Sequence, residues 1–313
     1  MSKINKSSHK TLNAVKSFNR RTLLKRGAAL TAFASVAPLY VKNAFAATSG
    51  QVNVLMWGEY LPDSVVADFK AKTGITINHT KIGDNGEIIA KMKAGGGAGY
   101  DLASPTNMRA LQWENLGVLA PFDMNKISNI GNVNPGMVAV GDRDWNFGGK
   151  GSHWVPQLWG TESISWRTDK WTPDGLPSFG DLWEPNPGIS GAFMMGRTYS
   201  MMKAGEPVAY QTTDEGALAW VDGITLSAKA ENIDEAYELV NYSFTPEVGG
   251  KTINEIGYNS AVIGASDYYS DATKAISQAV YPGDTASKLN PWPPEPPWFA
   301  DARAEYANKF ETA

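Results

Sequence analysis

Gln51-Val52-Asn53-Val54-Leu55-Met56-Trp57-Gly58-Glu59-Tyr60-Leu61-Pro62 is the stretch on which the fold turns. Its first half reads as a strand and its second half, from Trp57, as the loop that follows. Pro62 suits the first turn of a helix, where a missing N–H is no loss, and Val65, Val66 and Phe69 mark that helix's apolar face. Thr73-Gly74 closes the helix and Ile75-Thr76-Ile77 begins a second strand. Gly86 to Ala94 is a further short helix with Ile88, Ile89 and Met92 on one side, and Tyr100 to Pro105 reads as a buried strand ending in a turn. Strand and helix alternating at this spacing predict βα units, a mostly parallel sheet and an α/β protein.

Further along, Trp154 to Gly160 and Ile164-Ser165-Trp166 read as strands crossing to a second lobe, and Ala217 to Leu226 as two short returning strands. Helices are expected over Ile233 to Phe244, Pro246 to Ile256, Asp271 to Ala279 and Trp298 to Phe310. Between the last two, five prolines from Pro291 to Pro297 flank Trp292 and predict an extended strap rather than a disordered tract. The chain has no internal repeat.

Ahead of all this lies a leader. Residues 1–46 carry nine basic residues and no acid, followed after Arg26 by an uncharged run from Gly27 to Val41. That run is shorter than the roughly 20 residues of a membrane span. Ala44-Phe45-Ala46 has the small-x-small form of a cleavage site, so the mature chain is expected to begin at Ala47 and to leave no membrane insertion behind. Asn19-Arg20-Arg21-Thr22-Leu23-Leu24-Lys25 resembles a twin-arginine export signal.

Without the leader, 19 basic residues face 32 acidic ones, which disfavours nucleic acid and anionic membranes as partners and draws cations into clefts. There is no cysteine, and only His79 and His153 remain after cleavage, so thiol chemistry is excluded and little is left for metal or general-base work. No cofactor, metal site or catalytic residue is expected.

Acidic and aromatic residues coincide in a few places. Trp57-Gly58-Glu59-Tyr60 lies at the carboxyl end of a strand, where open α/β sheets hold ligands, and Pro105-Thr106-Asn107-Met108 occupies the same kind of position. In Trp220-Val221-Asp222 the Trp and the Asp point to one side of an extended chain, and Gly257-Tyr258-Asn259 sits in a turn after a helix. Carboxylates beside Trp and Tyr faces suit an alkylammonium ligand, each cation–π contact contributing about 0.5–2 kcal/mol. A methylated onium zwitterion with its carboxylate on Arg197 fits the same residue types, as does a hydrolase using Glu59 and Asp222 as paired acids.

Trp57-Gly58-Glu59-Tyr60-Leu61-Pro62, Tyr100-Asp101-Leu102, Val155-Pro156-Gln157-Leu158-Trp159-Gly160-Thr161, Trp220-Val221-Asp222 and Glu255-Ile256-Gly257-Tyr258 together resemble the spermidine/putrescine-binding periplasmic proteins, in order and near-family spacing. The resemblance implies a two-lobed, type II-like periplasmic-binding-protein fold closing on ligand as a hinged clamp. It further implies a small cationic ligand, an inner-membrane ABC permease as partner, a periplasmic location and a monomer. Trp57, Glu59, Tyr60, Trp220, Asp222 and Tyr258 would touch the ligand, with Thr106 in place of a family serine.

By the same resemblance, residues 1–46 are the export signal, 47–150 and 217–313 the first lobe, and 151–216 a shortened second lobe of 66 residues. Two features depart from the family. Met194-Met195-Gly196-Arg197-Thr198-Tyr199 carries no carboxylate where an acidic pair is usual, and most of the second lobe is skipped between Met202 and Lys203. The leader yields the first test: changing Arg20 and Arg21 together to Lys should abolish the processed protein in the periplasm, and its continued appearance in cell fractionation would refute twin-arginine export.

Overall fold

The computed structural model describes residues 49–183, 189–283 and 285–312; the leader, its paired arginines and its cleavage site lie outside them. β1 (Gln51–Trp57) buries apolar side chains on both faces: Val52, Val54 and Met56 enter one core and Leu55 another. The chain leaves it through a turn into α1 (Asp63–Thr73), which buries Val65 and Phe69 and ends at Gly74 with φ +81°, a left-handed cap suited to glycine. β2 (Thr76–Ile82) returns parallel to β1, and α2 (Asn85–Gly95) begins where the Asp84 side chain accepts from the Glu87 N–H.

β3 (Leu102–Ala103), α3 (Ala110–Glu114), β4 (Leu119–Ala120) and α4 (Pro135–Asp144) complete the first third. Then come β5 (Trp154–Arg167), β6 (Ile189–Met194), α5 (Met195–Lys203), β7 (Val208–Gln211) and β8 (Ala217–Ser227). The remainder is α6 (Ile233–Ser243), α7 (Pro246–Ile256), β9 (Asn259–Ser260), α8 (Asp271–Val280), β10 (Leu289–Pro291) and α9 (Pro297–Glu311).

The sheet runs β2-β1-β3-β8-β5-β6, with β4 and β10 attached to β8 and with β7 and β9 attached to β5. Only the β1 pairs and β10–β8 are parallel; β3–β8, β4–β8, β5–β8, β5–β6, β5–β7 and β5–β9 are antiparallel. The expected mostly parallel sheet is therefore corrected to a mixed one. β8 lies between β3 and β5 and runs antiparallel to both.

Two further expectations change. The two crossing pieces are one strand of 14 residues, and the two returning pieces are one strand of 11. They pair continuously from Trp154↔Thr225 to Glu162↔Leu218, with one irregularity beside Pro156, which has no N–H to give a ladder.

Asp101 shows how the first strands are held. Buried to 1 % exposure, it accepts from the N–H groups of Asn53 (2.7 Å), Glu231 (2.9 Å) and Asn232 (3.0 Å) and from Asn232 Nδ2 (2.8 Å). One carboxylate thus joins β1, the approach to β3 and the segment entering α6.

The proline strap is extended and pinned along its length. Trp292 N–H donates to Ala219 O at 2.9 Å and Glu295 N–H to Met108 O at 2.7 Å. The Glu295 side chain, 4 % exposed, meets both terminal guanidinium nitrogens of Arg303 at 2.5 and 3.0 Å and Arg109 Nη1 at 3.1 Å. Removing one partner of a buried pair strands the other charge at roughly 3–5 kcal/mol. Glu295→Gln should therefore lower the melting temperature by roughly 6–20 °C, given about 2–4 °C per kcal/mol at this chain size. Calorimetry showing an unmoved transition would mean that the strap is held by its backbone alone.

Candidate ligand-binding site

The site is built on Asp222. β8 turns Trp220 and Asp222 to one face, and Asp222 is 3 % exposed. The Tyr60 hydroxyl, delivered by the turn after β1, donates to Asp222 Oδ2. Thr106 pairs with Asp222 across a backbone bridge. Asn85 fixes that threonine: its Nδ2 donates to Thr106 Oγ1 at 2.9 Å, and Thr106 N–H donates to Asn85 Oδ1 at 3.2 Å. With its oxygen already accepting, the Thr106 hydroxyl keeps its own proton for the carboxylate. Asp222 Oδ1 has no hydrogen-bond partner. Burial raises the Asp222 pKa to about 7, against the opposing pull of the Thr106 and Tyr60 hydroxyls.

Aromatic rings surround this carboxylate. Trp57 and Tyr60 lie 6.2 Å apart between ring centres, Tyr60 and Tyr258 6.0 Å, and Tyr258 and Trp220 5.1 Å, the last two pairs edge to face. The indole nitrogens of Trp57 and Trp220 are buried and donate to nothing. Burial pushes Tyr258 up to about 12 and Tyr60 well above the usual tyrosine value. Glu59, exposed on the turn, and Asp222 raise Tyr258 further while Arg197 lowers it, so all three lie within electrostatic reach of that ring.

Glycines make the ring positions possible. A Cβ on Gly160 would stand 2.3 Å from the Trp220 ring, so the indole lies against bare β5 backbone. Gly257, at φ +74°, ends α7 and swings Tyr258 toward Trp220; a Cβ there would meet the Tyr199 ring at 2.0 Å.

The structure brings Trp57, Glu59, Tyr60, Thr106, Trp220, Asp222 and Tyr258 into one neighbourhood. The sequence reading passed over Asn85 and Gly160. A glycine in mid-strand marks a close approach, so Gly160 carried a usable signal. Asn85 carried none, because only the fold brings it to Thr106. Among the described residues no group of three or more His, Asp or Glu side chains is placed to hold a metal. What the arrangement offers is an anionic acceptor at the base of an aromatic box, the chemistry of ammonium recognition.

Comparison with known proteins gives a consistent answer. The family model for bacterial extracellular solute-binding proteins matches residues 64–202. The spermidine/putrescine-binding periplasmic protein of Escherichia coli is 21% identical over 75% of this chain and 84% of its own length. Its Haemophilus influenzae counterpart is 24% identical over 80% and 86%. Among solved structures, a putative spermidine/putrescine ABC transporter protein from Listeria monocytogenes superposes with a TM-score of 0.70 at 18% identity, covering 84% of this chain and 99% of that one, which shows the shared fold. Family match, relatives and fold point one way: residues 64–202 match the bacterial extracellular solute-binding proteins, and the relatives that this chain resembles over most of its length are spermidine/putrescine-binding ones.

Proposed function

We propose that the protein captures a polyamine in the periplasm and delivers it to the permease of an ABC importer. Supporting this reading above all is the free Oδ1 of a buried Asp222 beneath four aromatic rings. A primary ammonium there gains a charge-assisted hydrogen bond and ring contacts at once, and it supplies the counter-charge that the buried carboxylate lacks. Glu59 adds a second negative charge at the exposed edge. In this reading residues 47–150 and 217–313 form one lobe and 151–216 the shortened other; the monomeric protein acts after the leader is cleaved near Ala46. Among the described residues no helix is long and apolar enough to cross a membrane.

Asp222 is 3 % exposed and Tyr258 packs edge to face on both Tyr60 and Trp220 beside it, so in this reading ligand entry is coupled to a shift of the Tyr258 ring. The Tyr258 ring rests against Gly196 at the start of α5, where a Cβ would lie 2.4 Å from it, so displacing α5 would release the ring.

The pKa of Asp222 sets a pH dependence. With that carboxyl at about 7 in the free protein, an ammonium ligand must drive a proton off below pH 7. Polyamine affinity should be about tenfold weaker at pH 6 than at pH 8 by isothermal calorimetry, and a flat profile would remove Asp222 from ligand contact. In the same protein the folded value is raised above the unfolded one, so ionised Asp222 lowers stability, an effect absent near pH 4 and full above pH 7. Asp222→Asn should therefore raise the melting temperature at pH 8 and not at pH 4, by an amount bounded by about 4 kcal/mol at 1.36 kcal/mol per unit. The same variant should lose roughly ten- to a hundredfold in polyamine affinity. Including a betaine and a sugar in the panel separates ligand classes, and binding of either in place of polyamines would overturn the proposal.

A further inference from the structure

On β5, Leu158, Gly160 and Glu162 stand opposite Asp222, Trp220 and Leu218 of β8 in unbroken register. Side chains alternate across a sheet, so Glu162 lies on the same face as Asp222 and Trp220, with Trp220 between the two acids. Tyr258 edges onto this face at Trp220, and Trp292, whose indole nitrogen is buried without a partner, packs against the same core cluster. Glu162 is half-buried and makes no ion pair among the described residues. Its one cationic neighbour among the described residues, Arg303, already gives both terminal nitrogens to Glu295. Burial holds the Glu162 carboxyl above its ordinary value. A carboxylate in that state is short of positive charge, as Asp222 is.

We propose that Glu162 is the second ammonium-binding carboxylate of the site, replacing the acids missing from residues 194–199, and that it selects long polyamines over short diamines. This inference rests on the polyamine reading above. The Leu158 and Glu162 positions are four residue steps apart, which at about 3.3 Å per step is roughly 13 Å along the ladder. A triamine of spermidine type has nine bonds between its terminal nitrogens; at about 1.5 Å each and tetrahedral angles it extends to roughly 11 Å. Putrescine, with five bonds, reaches only roughly 6 Å and spans from Asp222 to the Trp220 ring. The long ligand therefore places one terminus at each acid and its methylenes across Trp220.

Calorimetry of spermidine and putrescine against the mature protein and its Glu162→Gln variant tests this. The wild type should prefer spermidine by tenfold or more. Glu162→Gln should weaken spermidine roughly ten- to a hundredfold and putrescine less than twofold. Glu162→Asp, which keeps the charge but withdraws it by one methylene, should lose less. Unchanged spermidine affinity in a variant that melts like the wild type would overturn the assignment, and so would an equal loss for both amines, which marks a general field effect. If the wild type binds neither amine, the polyamine reading itself falls and Glu162 with it; if it binds spermidine and Glu162→Gln binds it equally, only the Glu162 assignment falls.

Discussion

A carboxylate has been carried into the middle of a sheet at Asp222, and most of what surrounds it answers the cost of putting it there. An ionised group out of water needs donors or a counter-charge. The protein provides donors on one side: Tyr60 from the turn after β1 and Thr106 from the loop after β3, itself set by Asn85. It leaves the other oxygen open. The β5–β8 register is fixed by the same demand, because a slip of one residue would turn Trp220 and Asp222 to the opposite face. Gly160 completes the arrangement by letting the Trp220 ring lie against backbone.

Asp101 makes the contrast plain. It is as buried as Asp222, yet four donors close on it and it joins three segments of the chain. Two residues of one type, equally removed from water, are thus put to opposite uses. The saturated one is structural; the other keeps an empty acceptor, which is what the proposed ammonium contact requires. The count of donors, not the depth of burial, separates them.

Much of this was legible in the sequence. The carboxyl-end rule grouped Trp57 to Tyr60 with Thr106, strand alternation put Trp220 and Asp222 on one side, and the fold brings these residues together. The lengths of β5 and β8 were not legible, because Thr161, Ser163 and Gly223 break the apolar run that marks a buried strand. Those polar side chains are nonetheless buried, Thr161 held by the Tyr210 and Tyr281 hydroxyls and Ser163 by Gln211 O. Strand direction was equally hidden. Leu102 pairs with Leu226, and nothing local to either residue announces a partner so far along the chain. The short strands β9 and β10 have too few residues to show any period.

β8 is also the last long strand to be made, and it is the one that β3, β4, β5 and β10 all need. Before it emerges, β1 has β2 and β3 for neighbours, and the sheet lacks its middle. Ser49 waits for Glu235, 186 residues on, and Met108 waits for Glu295 near the end of the chain. Folding cannot then advance from the amino terminus in step with synthesis. Loop closure over such distances comes before any of the reward, which makes the search slow and leaves apolar strand edges uncovered while it proceeds. The nascent first half is the vulnerable species, and holding it apart from its like until β8 arrives is the task this topology sets for the cell.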